Sequence, residues 1–133
     1  MTTNILGNFF KRILSRATCN YYRQAFEKAG YAIMLVDNTT NYFIKTNKAA
    51  SELFGYTSEE FLKMTPLDLA TDGSEELSFI GKKTRESLIR PARRKDGKII
   101  IIKVQISLLE NFLISLISDV TEEYRMRHAL ELN

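Results

Sequence analysis

Few residues in this 133-residue chain are placed to do chemistry, and they are scattered. Carboxylates pair at Glu59-Glu60, Glu75-Glu76 and Glu122-Glu123, and each pair falls where a helix is expected to begin. There the positive end of the helix dipole is reason enough for them. His128 is the only histidine and falls in a C-terminal helical stretch, where Ala129-Leu130-Glu131-Leu132-Asn133 is a poor match to the context of a phosphoacceptor histidine. Cys19 is the only cysteine, so neither an internal disulfide nor a CxxC motif can form. It reads as a small, partly buried residue of an N-terminal helix, and a single thiol suits a reducing, cytoplasmic setting. With no glycine-rich phosphate loop, nucleophile elbow or metal-spaced cluster, catalysis is not expected.

Composition points the same way. The chain has room for one domain with short extensions, and 44% apolar and 26% charged residues are ordinary for a globular protein. The net charge of +3 is mild, and the cluster Arg90, Arg93, Arg94 and Lys95 reads as a solvated strand edge, so no nucleic-acid partner is expected. No apolar run approaches the ~20 residues that cross a bilayer, and Asn8, Lys11 and Arg12 interrupt any signal-peptide pattern. Membrane insertion by this segment is therefore not expected.

The elements that would position a site can be taken in order. Ile5, Leu6, Phe9, Phe10, Ile13 and Leu14 wind into one broad stripe on a helix. Covering the sheet, dimerisation and lying in a membrane interface compete as its use. The first two are preferred, because two phenylalanines left in water would forgo about 1.5–3 kcal/mol each. A second helix is expected over Asn20–Lys28, with Tyr22, Ala25 and Phe26 inward. A hairpin over Ala32–Thr46 follows, then a helix opened by Asn47 and ended by Gly55. Thr57 with Glu60 makes a capping box, and Pro66 suits a first helical turn. A longer helix is expected from Ser74 to about Ile89, stopped by Pro91.

Arg93-Arg94-Lys95-Asp96-Gly97 then reads as a hairpin turn, with both turn positions at positive φ. In the strand after it, the alternation of Lys103, Gln105 and Ser107 puts Ile100, Ile102, Val104, Ile106 and Leu108 on one face. Glu110-Asn111 turns the chain into a strand from Phe112 to Val120, and Thr121 suits the N-cap of a final helix. Strands separated by a helical block, without βαβ repeats, predict an α+β fold with an antiparallel sheet.

Three groups of residues, in this order, resemble the PAS domain family. They are Asn47-Lys-Ala-Ala-Ser-Glu-Leu-Phe-Gly-Tyr56 followed by Thr57-Ser-Glu-Glu60, Arg94-Lys-Asp-Gly97, and Asp119-Val-Thr-Glu-Glu123. The resemblance spans roughly Tyr22 to Thr121. It implies a five-stranded antiparallel sheet with short central helices, an N-terminal amphipathic helix and a C-terminal exit helix. The chain then divides into residues 1–20 (helix for sheet cover or dimerisation), 21–121 (PAS domain) and 122–133 (signalling or linker helix).

The function implied is a sensory or signal-relay module of a prokaryotic, two-component-type signalling protein. It would be a homodimer through the N-terminal stripe, handing a conformational change to an output domain such as a kinase or cyclase. Asp119 and Thr121 would be the relay residues, and Glu60 (or Glu59) would pair with Lys95 (or Arg94). A pocket would be lined by Leu35, Phe54, Leu69, Ile80, Thr84, Leu88, Ile102, Val104 and Leu116. Thr84 and Ser87 could orient a ligand there or bond back within their own helix. The identity of any cofactor is left unknown. Haem is not expected because the Ser74–Ile89 helix has no histidine, nor a covalently photoreactive flavin, because Cys19 precedes the core. A ligand-free dimerisation or docking module is the alternative.

Overall fold

A computed structural model describes residues 2–71 and 87–132. The expected helix from Ser74, with Ile80, Thr84 and the Glu75-Glu76 pair, lies outside the described residues up to residue 86. Helix α1 (Thr2–Lys28) leads to β1 (Ala32–Asp37) and β2 (Phe43–Thr46), then α2 (Lys48–Phe54), α3 (Ser58–Phe61) and a 3₁₀ turn (Pro66–Leu69). Next come β3 (Leu88–Arg93), β4 (Ile99–Leu108), β5 (Phe112–Asp119) and the exit helix α4 (Thr121–Leu132). The strands form one antiparallel sheet in the order β2-β1-β5-β4-β3, so the last strand lies against the first.

Burial alternates along β1, and along β4 from Ile100 to Val104, with Ala32, Met34 and Val36 facing the same side as Ile100, Ile102 and Val104. On that inner face they meet Ala50 and Phe54 of α2, Phe61 of α3 and Leu69. Phe61 is the aromatic centre, with Phe43 edge-on at 5.5 Å and Phe54 at 6.4 Å between ring centroids. Such geometry aligns ring edges with ring faces and adds to plain burial.

Four expectations are corrected here. The two N-terminal helices are one, α1, because no proline or glycine between Leu14 and Lys28 breaks it. Tyr22 is 72% exposed and Ala25 is exposed, leaving Phe26 half-buried where α1 meets the domain. Leu88 and Ile89 are strand, not helix, and Pro91 sits within β3. That strand is at the sheet edge, where a residue without an N–H can be accommodated. Finally, only Gly97 of the Asp-Gly pair has positive φ (88°). Gly97 N donates to Arg94 O at 3.0 Å and Arg94 N to Lys98 O at 2.9 Å, a three-residue loop ending in a left-handed glycine.

The caps are local and strong. Asn47 accepts from Ala50 N, and Gly55 ends α2 at φ 85°. The conformation calls for glycine, while a Cβ there would meet Lys95 Cβ at 3.4 Å, an ordinary contact. Thr57 and Glu60 form the reciprocal capping box of α3.

Candidate functional site

Between the sheet and the short helices lies a cavity of about 30 Å³. Phe54, Leu69 and Ile102 line it together with Met34, Phe43 and Ile117. Of the other expected lining residues, Val104 is packed into the core (1% exposed) without reaching the cavity. Leu88 is half-buried in the inner-facing row of β3, opposite Val104. Leu35 and Leu116 are corrections. Leu35 alternates with buried Met34 and Val36, and Leu116 pairs with exposed Gln105 and precedes buried Ile117, so both face the outer side of the sheet. Arg90 and Ser115 supply the only polar side chains among the residues lining the cavity; the sequence places Arg90 on a solvated strand edge with Arg93, Arg94 and Lys95, and gives Ser115 no role.

At one end of the sheet the β3–β4 loop is fastened to α2 and α3. Lys95 N donates to Phe54 O at 2.8 Å, and Arg94 Nη1 donates to Leu53 O at 2.7 Å. These are two carbonyls that the end of α2 would otherwise leave open. Lys95 Nζ donates to Glu60 Oε2 at 2.7 Å, while Glu60 Oε1 accepts from Thr57 N at 3.0 Å. The bond from Lys95, and after it the one from Thr57 N–H, holds the Glu60 carboxyl below the usual carboxylate range. A carboxyl lowered in the folded state contributes stability above its unfolded pKa, and loses it as pH falls through the folded value. Glu60→Gln is therefore expected to lower the urea midpoint slightly near neutral pH and not at all in strong acid. The gap should also narrow with added salt, since both side chains are solvent-accessible. An undiminished gap in acid would assign the loss to something other than the pair.

Asn47 is the polar hub of the molecule. It is 1% exposed, and all four of its amide's principal hydrogen bonds are made. Oδ1 accepts from Ile33 N and Ala50 N, both at 3.0 Å. Nδ2 donates to Phe26 O and Tyr31 O, both at 2.9 Å. Two N–H groups on one side and two carbonyls on the other fix which way the amide points. The sequence showed Asn47 as a helix start, but its reach to the end of α1 is tertiary.

The exit from the sheet is a second hydrogen-bonded knot. Thr121 Oγ1 accepts from Ile101 N at 2.9 Å and donates to Asp119 Oδ1, which also accepts from Thr121 N at 2.9 Å. Val120 N donates to Ile101 O at 2.9 Å. Thr121 was expected to be the N-cap. Instead Val120 O takes the first intrahelical bond, from Tyr124 N at 2.9 Å, and Thr121 is the first helical residue, its hydroxyl turned to β4.

Ile5, Leu6, Phe9, Phe10, Ile13 and Leu14 all fall within α1, whose side chains from Ser15 to Ala25 are exposed. Among the described residues no group of three or more His, Cys, Asp or Glu could hold a metal ion, and no helix is long and apolar enough to cross a membrane. Cys19, the sole thiol, is exposed on α1.

A family model described as PAS domain matches residues 30–122. No curated protein matches the chain. Among solved structures, the chain is similar to a PAS domain of a two-component sensor histidine kinase, with TM-score 0.70 and 18% identity over 79% of this chain and 98% of that one. It is similar to an RNA-binding Light-Oxygen-Voltage receptor, with TM-score 0.77 and 20% identity over 85% of this chain and 36% of that one. A PAS domain of a LuxR-family transcriptional regulator from Burkholderia thailandensis, solved in complex with ethanol, is also similar, with TM-score 0.63 and 16% identity over 74% of this chain and 96% of that one.

Proposed function

The chain belongs to the PAS domain family, and from that premise we propose that it is a cytoplasmic signal-relay module whose input acts on the sheet and whose output leaves through α4. The observation that carries this is the Thr121 knot. The first residue of the exit helix is bonded to Ile101 in β4, and Ile101 sits between two residues of the core, Ile100 and Ile102. A displacement of β4 therefore changes the seat of α4 directly. Such a relay works by shifting populations between two arrangements, one of which the input favours. Division into residues 1–20, 21–121 and 122–133, homodimerisation along α1 and a kinase or cyclase as output fit the same reading. Sedimentation velocity finding only monomer would remove the dimer from it.

A cavity of about 30 Å³ is a tenth of the ~300 Å³ at which ligand pockets usually begin. That supports the alternative input, a docked partner with no ligand, unless the ligand has only a few heavy atoms. The ethanol complex of the Burkholderia domain is of that size.

Hydrogen exchange on the full chain carrying Ile102→Ala tests the relay. Enlarging the core behind β4 is expected to speed exchange of the Tyr124 amide more than that of Leu109 N, which donates to Phe112 O at the far end of the β4–β5 pair. Equal exchange at Tyr124 in variant and parent, in protein shown to be folded, would end the relay reading.

A further inference from the structure

We propose that α1 lies in the surface of an anionic lipid bilayer, its apolar stripe toward the acyl chains and its arginines among the headgroup phosphates. The ties described between α1 and the domain are in its last turn, where Asn47 Nδ2 donates to Phe26 O at 2.9 Å and Lys45 Nζ stands 5.3 Å from the centre of the Phe26 ring. From Ser15 to Ala25 the side chains are exposed, and on the outer face of the sheet Ile89 and Leu116 are exposed too, so the described side chains of α1 are not the sheet's cover. At about 100° per residue, Ile5, Leu6, Phe9, Phe10, Ile13 and Leu14 spread over about half of the helix circumference. The seam of a two-stranded coiled coil is narrower and repeats every ~3.5 residues. A broad face suits a flat apolar boundary instead. Charge favours the same occupant. From Met1 to Phe26 the chain carries Lys11, Arg12, Arg16 and Arg23 and no aspartate or glutamate, so a second α1 offers these cations no carboxylate, whereas lipid phosphates do pair with them. By the same spacing Arg12, Arg16 and Arg23 fall along one border of the stripe, where long side chains keep their stems on apolar surface and their charges among headgroups. Tyr21, 72% exposed, falls at the other border, and an amphipathic ring suits that depth. Among the described residues no helix is long and apolar enough to cross a membrane, so α1 rests on the bilayer and does not span it. The relay through α4 works with either occupant of the stripe; lipid takes the place of a second copy there.

The experiment is flotation of the full chain with large unilamellar vesicles of phosphatidylcholine and phosphatidylglycerol in equal parts, against vesicles of phosphatidylcholine alone, at low and high sodium chloride. Sedimentation velocity without lipid accompanies it. Partition into the anionic vesicles is expected to exceed that into neutral ones by about tenfold or more, and salt should narrow the difference. Arg12→Gln combined with Arg16→Gln should lose about tenfold or more on anionic vesicles and little on neutral ones. Phe9→Ser combined with Phe10→Ser should lose about tenfold or more on anionic vesicles at either salt concentration, since it removes apolar area rather than charge. Circular dichroism and the urea midpoint check that both variants keep the domain folded. No flotation with anionic vesicles or equal flotation with neutral ones would overturn the proposal. So would unchanged flotation of the folded phenylalanine variant, which would reduce the binding to adsorption of charge. A dimer that the phenylalanine substitutions dissociate, in protein that does not float, would give the stripe to a second copy and overturn it as well.

Discussion

Asn47→Ala is expected to destabilise the domain by about 3–4 kcal/mol, from the loss of a helix cap worth about 1 kcal/mol and the stranding of one or two further buried groups at about 1–3 kcal/mol each. The groups at stake are the N–H of Ile33 and the carbonyls of Phe26 and Tyr31, none of which has the Asn47 amide to turn to in the variant. Against a typical total of about 5–15 kcal/mol this is a large share, and it should show as a fall in urea midpoint at constant slope. Asn47→Asp is the sharper probe. Its carboxylate can still accept from Ile33 N and Ala50 N, but it meets two carbonyls where an NH₂ stood, in a site 1% exposed. Its folded pKa should rise above the unfolded value of about 3.9. A carboxyl raised in this way is tolerated below its unfolded pKa and destabilises as pH climbs through the folded value. Asn47→Asp should thus be at least as unstable as Asn47→Ala at neutral pH and recover in mild acid. Parent-like stability of the aspartate variant at pH 7 would mean that the bonds to Phe26 and Tyr31, and with them the tie to α1, contribute nothing.

That tie also marks where sequence reading stops. Signals complete within a few residues were legible. The Asn47 and Gly55 caps, the Thr57–Glu60 box and the β1–β2 hairpin depend on neighbours in sequence, and all are present. In β4 the polar series Lys103, Gln105 and Ser107 declared the outer face, so its inner residues could be assigned. β1 and β5 carry no such marker. Ala32-Ile-Met-Leu-Val36 is apolar on both faces, and the serines of β5 fall on opposite sides, Ser115 toward the cavity and Ser118 among outer-face residues. Facing there is decided by register with neighbouring strands, which is why Leu35 and Leu116 were expected in the pocket. Leu88-Ile89 failed for another reason. A short apolar run ahead of a proline suits the end of a helix and an edge strand alike, and only pairing with β4 decides. Arg90 reads in sequence as part of a solvated basic edge, and only pairing with Ile102 places it in the inner row.

Thr121→Val should release the exit helix while leaving the sheet in place. Valine keeps the shape of threonine but removes the oxygen that accepts from Ile101 N and donates to Asp119. Thr121 is 9% exposed, so water replaces that oxygen poorly, and a stranded N–H costs about 1–3 kcal/mol. The cost falls on the docking of α4, whose side chains from Glu122 to Ala129 are exposed and bury little against the sheet. Exchange of the Ile101 and Tyr124 amides should therefore quicken by about 5- to 150-fold, with the paired amides at the centre of β5 changing far less. Thr121→Ser, which retains the hydroxyl, should restore most of the protection. Asp119→Ala removes the second acceptor of the knot from an exposed position, where water can stand in, so it should loosen α4 less and cost little in folding. The order expected is parent, Asp119→Ala, Thr121→Val, in increasing freedom of α4. If the valine variant exchanged like the parent at both amides, or unfolded as a whole, Thr121 would not be the link between sheet and helix, and some other contact would have to seat α4 on β4.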